Sequence, residues 1–244
     1  MNPDTYAVEA EVEESHWWFV GRRRLFAREI AKLGLPRHAA ILDVGTSTGT
    51  NLRMLRDMGF DNVQGLDMSE DAIRFCESKQ LGTVKLGDVC AIPFADDSFD
   101  LVVATDIVEH VDDDGAALAE IARVLKPEGS VLLTVPAFES LWGLQDDVSQ
   151  HKRRYRAAQL LAVVGAARLV PKRWYYFNFL LFLPIWLARQ IIRIFRIPLA
   201  SENQLSTPTV NLILNTVFRL DVDLAPKLNI PFGVSFLTIA SKAR

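Results

Sequence analysis

Asp43 ends the apolar run Ile41-Leu42-Asp43-Val44 and is followed by Gly45-Thr46-Ser47-Thr48-Gly49-Thr50-Asn51. An acid at a strand end, then a glycine turn that opens a helix, suits a small zwitterion. Gly45 and Gly49 can adopt positive φ and let the backbone approach a ligand, and the helix start offers N–H groups to a carboxylate. Asp43 can accept from an ammonium group, and Ser47 reads as a turn residue with negative φ. Two other chemistries share these letters. A dinucleotide-binding G-x-G-x-x-G loop fails in register, because Ser47 and Thr50 stand at its second and third glycine places. A G-x-S-x-G nucleophile elbow matches Gly45 to Gly49 and would make Ser47 a hydrolase nucleophile, with His151 downstream as its base. That reading leaves Asp43 without a purpose.

Asp67, 24 residues after Asp43, ends the next apolar segment, where an acid can grip both hydroxyls of a ribose. Gly87-Asp88-Val89 follows a third segment. A lone Asp is usually a solvated charge or a helix cap. Three at successive strand ends read instead as a three-point grip on one ligand.

Such a grip needs a parallel sheet to assemble it. From His38 to Ala137 short β-branched runs alternate with helical stretches, as successive βαβ units do. The expected strands are AAILDV, NVQGLD, GTVKLGD, FDLVVAT and GSVLLTV, with GVSFLTIAS last. Helices capped at Asn51, Ser69 and Asp112 separate them, the third ending near Lys126 to Gly129. The expected class is α/β, a doubly wound, mostly parallel sheet. Residues 1–37 form an N-terminal helical cover, with Trp17, Phe19 and Leu25 among Arg22, Arg23, Arg24 and Arg28. Residues 38–244 form one domain, with a basic, apolar helical insertion at about 177–225 before the last strand.

ILDVGTSTGTN resembles the D-x-G-x-G-x-G first motif of class I S-adenosylmethionine-dependent methyltransferases, with Ser47 replacing the middle glycine. IPFADDSFDLVVATDIVEHV resembles the family's fourth-strand motif and EIARVLKPEGSVLLTVP its fifth. The opening ESHWWFVGRRR is similar to a bacterial, methyltransferase type 11-like subgroup that begins His-Trp-Trp-Phe. The resemblance covers Ile41 to Pro136 and the final strand. It implies a Rossmann-like sheet of seven strands and S-adenosylmethionine as cofactor. Asp43, Gly45, Thr46 and Gly49 would hold its methionine end, Asp67 and Met68 its ribose, and Asp88 and Val89 its adenine. Thr105 would line the same site, and Trp18 and Arg22 would close over it.

Methyl transfer from a sulfonium is an in-line displacement, so positioning the acceptor is the main task. A hydroxyl or amine acceptor also needs a base. The resemblance puts Asp106 and His110 at the fourth strand's end, although His110 also reads as a packed structural histidine. Loops at the carboxyl ends of parallel strands face the ligand crevice, so His151, with Arg153, Arg154 and Tyr155, can meet the acceptor. Arg154 could clamp a phosphate. No metal site is expected, since neither Cys76 nor Cys90 belongs to a C-x-x-C pair. The alternative from another class is a catalytically silent relative that binds the cofactor or a partner.

The net charge of −3 conceals a strong asymmetry, because residues 151–200 carry ten Lys or Arg and no acid. A block of this kind meets an anionic surface. Trp174 to Ala188 is uncharged but broken by Asn178 and Pro184, and is too short to span a bilayer. IWLARQIIRIFRI can form an interfacial helix with Arg189, Arg193 and Arg196 on one face, giving peripheral membrane contact through 177–197. A lid over a greasy acceptor is compatible with this, and the expected acceptor is a small or lipid-like molecule such as a lipid-linked sugar or quinone-like ring. Nucleic acid is not expected, since the aromatics alternate with aliphatic residues instead of forming an exposed stacking platform. The acidic first twenty residues do not read as a secretory signal, so a cytoplasmic protein, peripheral on the membrane's inner face, is expected.

Overall fold

The computed structural model describes Tyr6, residues 10–195, Ile197 and residues 207–243. Arg196 and the stretch 198–206 of the expected insertion lie outside the described residues.

Seven strands form one sheet among the described residues: β1 (Ala40–Val44), β2 (Asn62–Asp67), β3 (Val84–Leu86), β4 (Phe99–Thr105), β5 (Leu125–Pro136), β6 (Leu169–Phe177) and β7 (Ser235–Lys242). Their order is β3-β2-β1-β4-β5-β7-β6, parallel from β3 to β5, with β7 antiparallel to both β5 and β6. Side chains alternate between the two faces of a strand, and here both faces are apolar. Leu42, Val44, Val102, Ala104, Val131 and Leu133 point to one core. Ile41, Leu101, Val103, Leu132, Leu237 and Ile239 point to the other.

Helices cover both cores. The N-terminal helix α1 (Trp17–Ala31), α2 (Thr50–Asp57) and α3 (Glu70–Ser78) follow in order, then α4 (Asp114–Val124), α5 (Leu144–Val148), α6 (Ala157–Ala166), α7 (Phe182–Phe195) and α8 (Pro208–Leu228). Helices α4 and α6 seal the first core through Leu118, Ile121, Leu160 and Val164. Helices α1, α2 and α8 seal the second through Phe26, Leu55, Phe218 and Val222.

Three local expectations change. Asn51 does not cap α2, because Gly49 holds that position at φ +89° and leaves Asn51 inside the first turn. Asp113, not Asp112, caps α4, accepting from the Ala116 N–H. Strand β5 starts at Leu125, taking in the Lys126–Gly129 stretch expected to end a helix, and its pairing with β4 shifts register between Phe99 and Leu101.

Candidate active site

The carboxyl ends of the parallel strands open into a cavity of about 530 Å³, a size that suits a small-molecule ligand. Its lining includes Gly45–Thr48, Asn51, Asp67, Met68, Thr105 and Asp106 at the strand ends and Trp18 and Arg22 of α1. Leu181, Pro184, Ile185, Ala188, Ile192 and Leu214 add apolar surface, beside the polar Gln145, Asp146, Asn178 and Arg189. A second hollow beside Asp67 and Met68 is lined by Asp88 and Val89.

The glycine loop is held by backbone geometry. Gly45 sits at φ +72°, and a Cβ there would lie 2.6 Å from Ile107 Cδ1. Gly49 lies behind the cavity wall, where a Cβ would lie 2.4 Å from Leu81 Cδ1. Ser47 adopts φ +50°, not the negative value expected. Its N–H donates to Asp67 Oδ2 at 2.9 Å, so the carboxylate from β2 secures the left-handed turn.

Asp67 is used twice over by the protein, since Oδ1 also accepts from the Ser69 N–H at 2.9 Å. Each carboxylate oxygen keeps a further lone pair for a ligand hydroxyl. Asp43 is fully buried, one layer behind the wall. Its Oδ1 accepts from Asn51 Nδ2 at 3.0 Å, while Oδ2 has no partner. Burial pushes its carboxyl up to about 7, with Asp67 adding and Asn51 and Thr46 opposing. Asp67 is raised as well, chiefly by burial. An orphaned buried carboxylate oxygen behind a glycine cradle fits a ligand carrying an ammonium group. Asp88 accepts from the Cys90 N–H at 2.8 Å.

Asp106, at φ +53°, accepts from Thr134 Oγ1 at 3.1 Å and pairs with Arg22 at 2.5 Å. Arg22 is thus committed to an acid of the chain as well as facing the cavity, and its guanidinium carbon lies 5.3 Å from the Trp18 ring centre. Trp18 stacks on Phe218 and Phe177. His110 and His151 meet edge to face with ring centres 4.7 Å apart. Burial, then the neighbouring His151, lowers His110 to about 4, so its ring is neutral.

Arg153, Arg154 and Tyr155 of the segment SQHKRRY are all engaged by acids of the chain. Arg154 is buried and bidentate on Asp146 at 2.8 and 3.0 Å, so it does not stand ready to clamp a phosphate. Arg153 and Tyr155 both engage Asp114. Sequence reasoning missed Asn51, Asp146 and Glu109 as members of the site. Helical periodicity placed none of them, because each acts across loops that only the sheet brings together.

Residues 42–133 match the family model described as "Methyltransferase domain". A malonyl-[acyl-carrier protein] O-methyltransferase of Pseudescherichia vulneris is 36% identical over 144 residues, 57% of each chain. A demethylmenaquinone methyltransferase of Renibacterium salmoninarum is 36% identical over 116 residues, 47% of this chain and 48% of that one. The chain spans about half the length of the curated relatives it matches. In fold it is similar to a Haloferax volcanii methyltransferase solved with the Trm112 methyltransferase activator (TM-score 0.66, 21% identity, 99% of this chain and 95% of that one). A Galdieria sulphuraria structure described as a sarcosine dimethylglycine methyltransferase superposes at 0.62, with 19% identity over 92% and 86% of the two chains. The glycine loop lies inside the matched stretch, which favours the methyltransferase motif over the hydrolase elbow. With Ser47 serving as a turn residue braced by Asp67, residues 42–133 are similar to a methyltransferase domain.

Proposed function

We propose that the protein transfers a methyl group from S-adenosylmethionine to an amphiphilic small molecule drawn from a membrane surface. The observation that carries this is one cavity lined both by the polar strand ends and by apolar side chains of α7 and α8, namely Pro184, Ile185, Ala188, Ile192 and Leu214. When bound, S-adenosylmethionine supplies an electrophilic sulfonium methyl group for in-line displacement. Gly45–Thr48 let the backbone approach its methionine end, Asp43 Oδ2 provides negative charge behind them, and Asp67 takes the ribose. Asp88 and Val89 stand at the second hollow for the base. Asp106, His110 and His151 line the part of the cavity where the acceptor's reactive atom would stand.

These apolar side chains support a greasy acceptor, and relatives named for demethylmenaquinone favour a quinone-like ring over a lipid-linked sugar. The route to it lies along α7, though not as the arginine pattern suggested. Arg189 is buried and turned inward, 3.5 Å from Asp146 and donating to the Leu141 carbonyl, while Arg193 donates to the Trp142 carbonyl at 2.9 Å. Leu183, Leu187, Ile191 and Ile194 face outward instead. No described helix is long and apolar enough to cross a membrane; in this proposal the stripe lies in the membrane interface. Burying each such side chain contributes about 1.5–3 kcal/mol.

Calorimetric titration of the full chain with S-adenosylmethionine tests the first half of the proposal. One site is expected, lost in Asp67→Ala, and a folded chain that binds nothing refutes the reading. Binding without methyl transfer to any quinone or lipid extract would favour the silent relative. Flotation with liposomes tests the second half. Leu187→Glu with Ile191→Glu should abolish it, and unchanged flotation removes the membrane route.

A further inference from the structure

Glu109 stands out among the buried acids. It is fully buried, and neither carboxylate oxygen has a hydrogen-bond partner. Burial holds its carboxyl well above the ordinary carboxylate range, and such a group keeps its proton, pairs with a cation or binds a metal. Two imidazoles converge on this one. The Lys152 N–H donates to the Glu109 carbonyl at 2.9 Å, strapping the loop after β5 to the loop after β4. His151 Nε2 therefore lies 3.9 Å from Glu109 Oε1, and the His110 ring packs against the His151 ring. One donor atom from each of Glu109, His110 and His151 falls within 4.8 Å of the other two.

The outer side of His151 is fixed as well. Its Nδ1 lies 2.8 Å from Asp146 Oδ1, and Asp146 is held by the Arg154 fork and by the Gly143 N–H at 2.8 Å. A carboxylate on one ring nitrogen puts the proton there and turns the lone pair of the other nitrogen inward, the arrangement that orients metal-binding histidines.

We propose that Glu109, His110 and His151 form a site for one divalent first-row transition cation, with Asp146 as the outer carboxylate that positions His151. The sequence pointed to no metal, because His151 lies more than forty residues after the Glu109-His110 pair and meets it only through the Lys152 strap. Two imidazoles and one carboxylate suit Zn²⁺, Mn²⁺ or Fe²⁺, whereas Mg²⁺ favours oxygen ligands alone. Bonds of about 2.0–2.2 Å bring tetrahedral donors to about 3.4 Å from one another, so the three side chains close by roughly an ångström on binding. Three protein ligands leave a position open. His110 and His151 both line the main cavity, so that position faces it. The site does not rest on the proposed methyltransferase function; an acceptor oxygen filling the open position would.

The test is calorimetric titration of the metal-stripped full chain with ZnCl₂, MnCl₂ and MgCl₂, without S-adenosylmethionine. One equivalent of Zn²⁺ and of Mn²⁺ is expected, with Mg²⁺ weaker by at least about tenfold. His110→Ala, His151→Ala and Glu109→Gln should each abolish measurable binding, and Asp146→Asn should weaken it about 10- to 100-fold. His38→Ala, an exposed histidine elsewhere, should bind as the parent does. Where a variant fails to fold by circular dichroism, the visible spectrum of the Co²⁺-loaded parent decides, since nitrogen and carboxylate ligation differs from the aqueous ion. Absence of stoichiometric binding, or undiminished binding in folded His110→Ala and His151→Ala, overturns the proposal. A chain that binds cation but not S-adenosylmethionine keeps this site and loses the methyltransferase reading. The converse result separates the two the other way.

Discussion

Asn51 uses its side-chain amide to tie the ends of two neighbouring strands together, with Nδ2 3.0 Å from both Asp43 Oδ1 on β1 and Thr105 Oγ1 on β4. Both strands thus end at one donor on the first turn of α2. Removing it strips a buried carboxylate of that donor, a loss of about 1–3 kcal/mol. Asn51→Ala should therefore lower unfolding stability by that amount in urea. It should also weaken S-adenosylmethionine binding, while Asn51→Gln should not restore either property, because its longer arm overshoots both acceptors.

Asp43 makes binding and stability depend on pH in opposite directions. Its carboxyl is raised from the ordinary 3.8 to about 7. Between those values the folded chain keeps a proton that the unfolded chain releases, so this group's contribution to stability is full below about pH 4. It falls as pH rises towards 7 and is flat above. A ligand ammonium favours the ionised form. Calorimetry should show S-adenosylmethionine affinity rising from pH 5.5 to 7.5 with proton release, then levelling. Asp43→Asn should flatten both profiles, and an affinity that falls over this range would exclude the assignment.

Phe218 joins the cover to the domain. Its ring packs against Trp17 and Trp18, and a Cβ on Gly21 would lie 2.1 Å from it. Truncating a fully buried phenylalanine costs about 3–5 kcal/mol. Phe218→Ala should lower the midpoint of denaturation accordingly and loosen α1 over the cavity, seen as faster amide exchange across Trp17–Ala31. Gly21→Ala should produce the same loosening through overlap instead of a void.

The sheet and the glycine loop were legible because their signals are local. Alternating apolar runs marked β1, β2 and β4 to within a residue, and Asp67 ended its strand where expected. What escaped depended on partners far along the chain. Ser47 takes a left-handed φ because Asp67, twenty positions on, accepts from its N–H. Arg189 looked like one of a solvated row, yet Asp146 draws it inward and leaves the apolar stripe of α7 to face out. Glu109 and His151 gave no metal-ligand spacing, since a loop-to-loop hydrogen bond, not a helix period, brings them together.

The roof over the cavity joins very distant parts of the chain. The Trp17 N–H donates to Asn211 Oδ1 at 2.7 Å across 194 positions, and Arg28 donates to Asp223 at 2.8 Å across 195. Pairings of such separation form late, because the entropy of the intervening loop is lost before they repay it. As the chain leaves the ribosome, β1 to β5 can assemble while α1 still waits for α8. The chamber acquires its ceiling only once α8 has been made, so a chain that stops before it has strand ends but no room in which to hold a ligand.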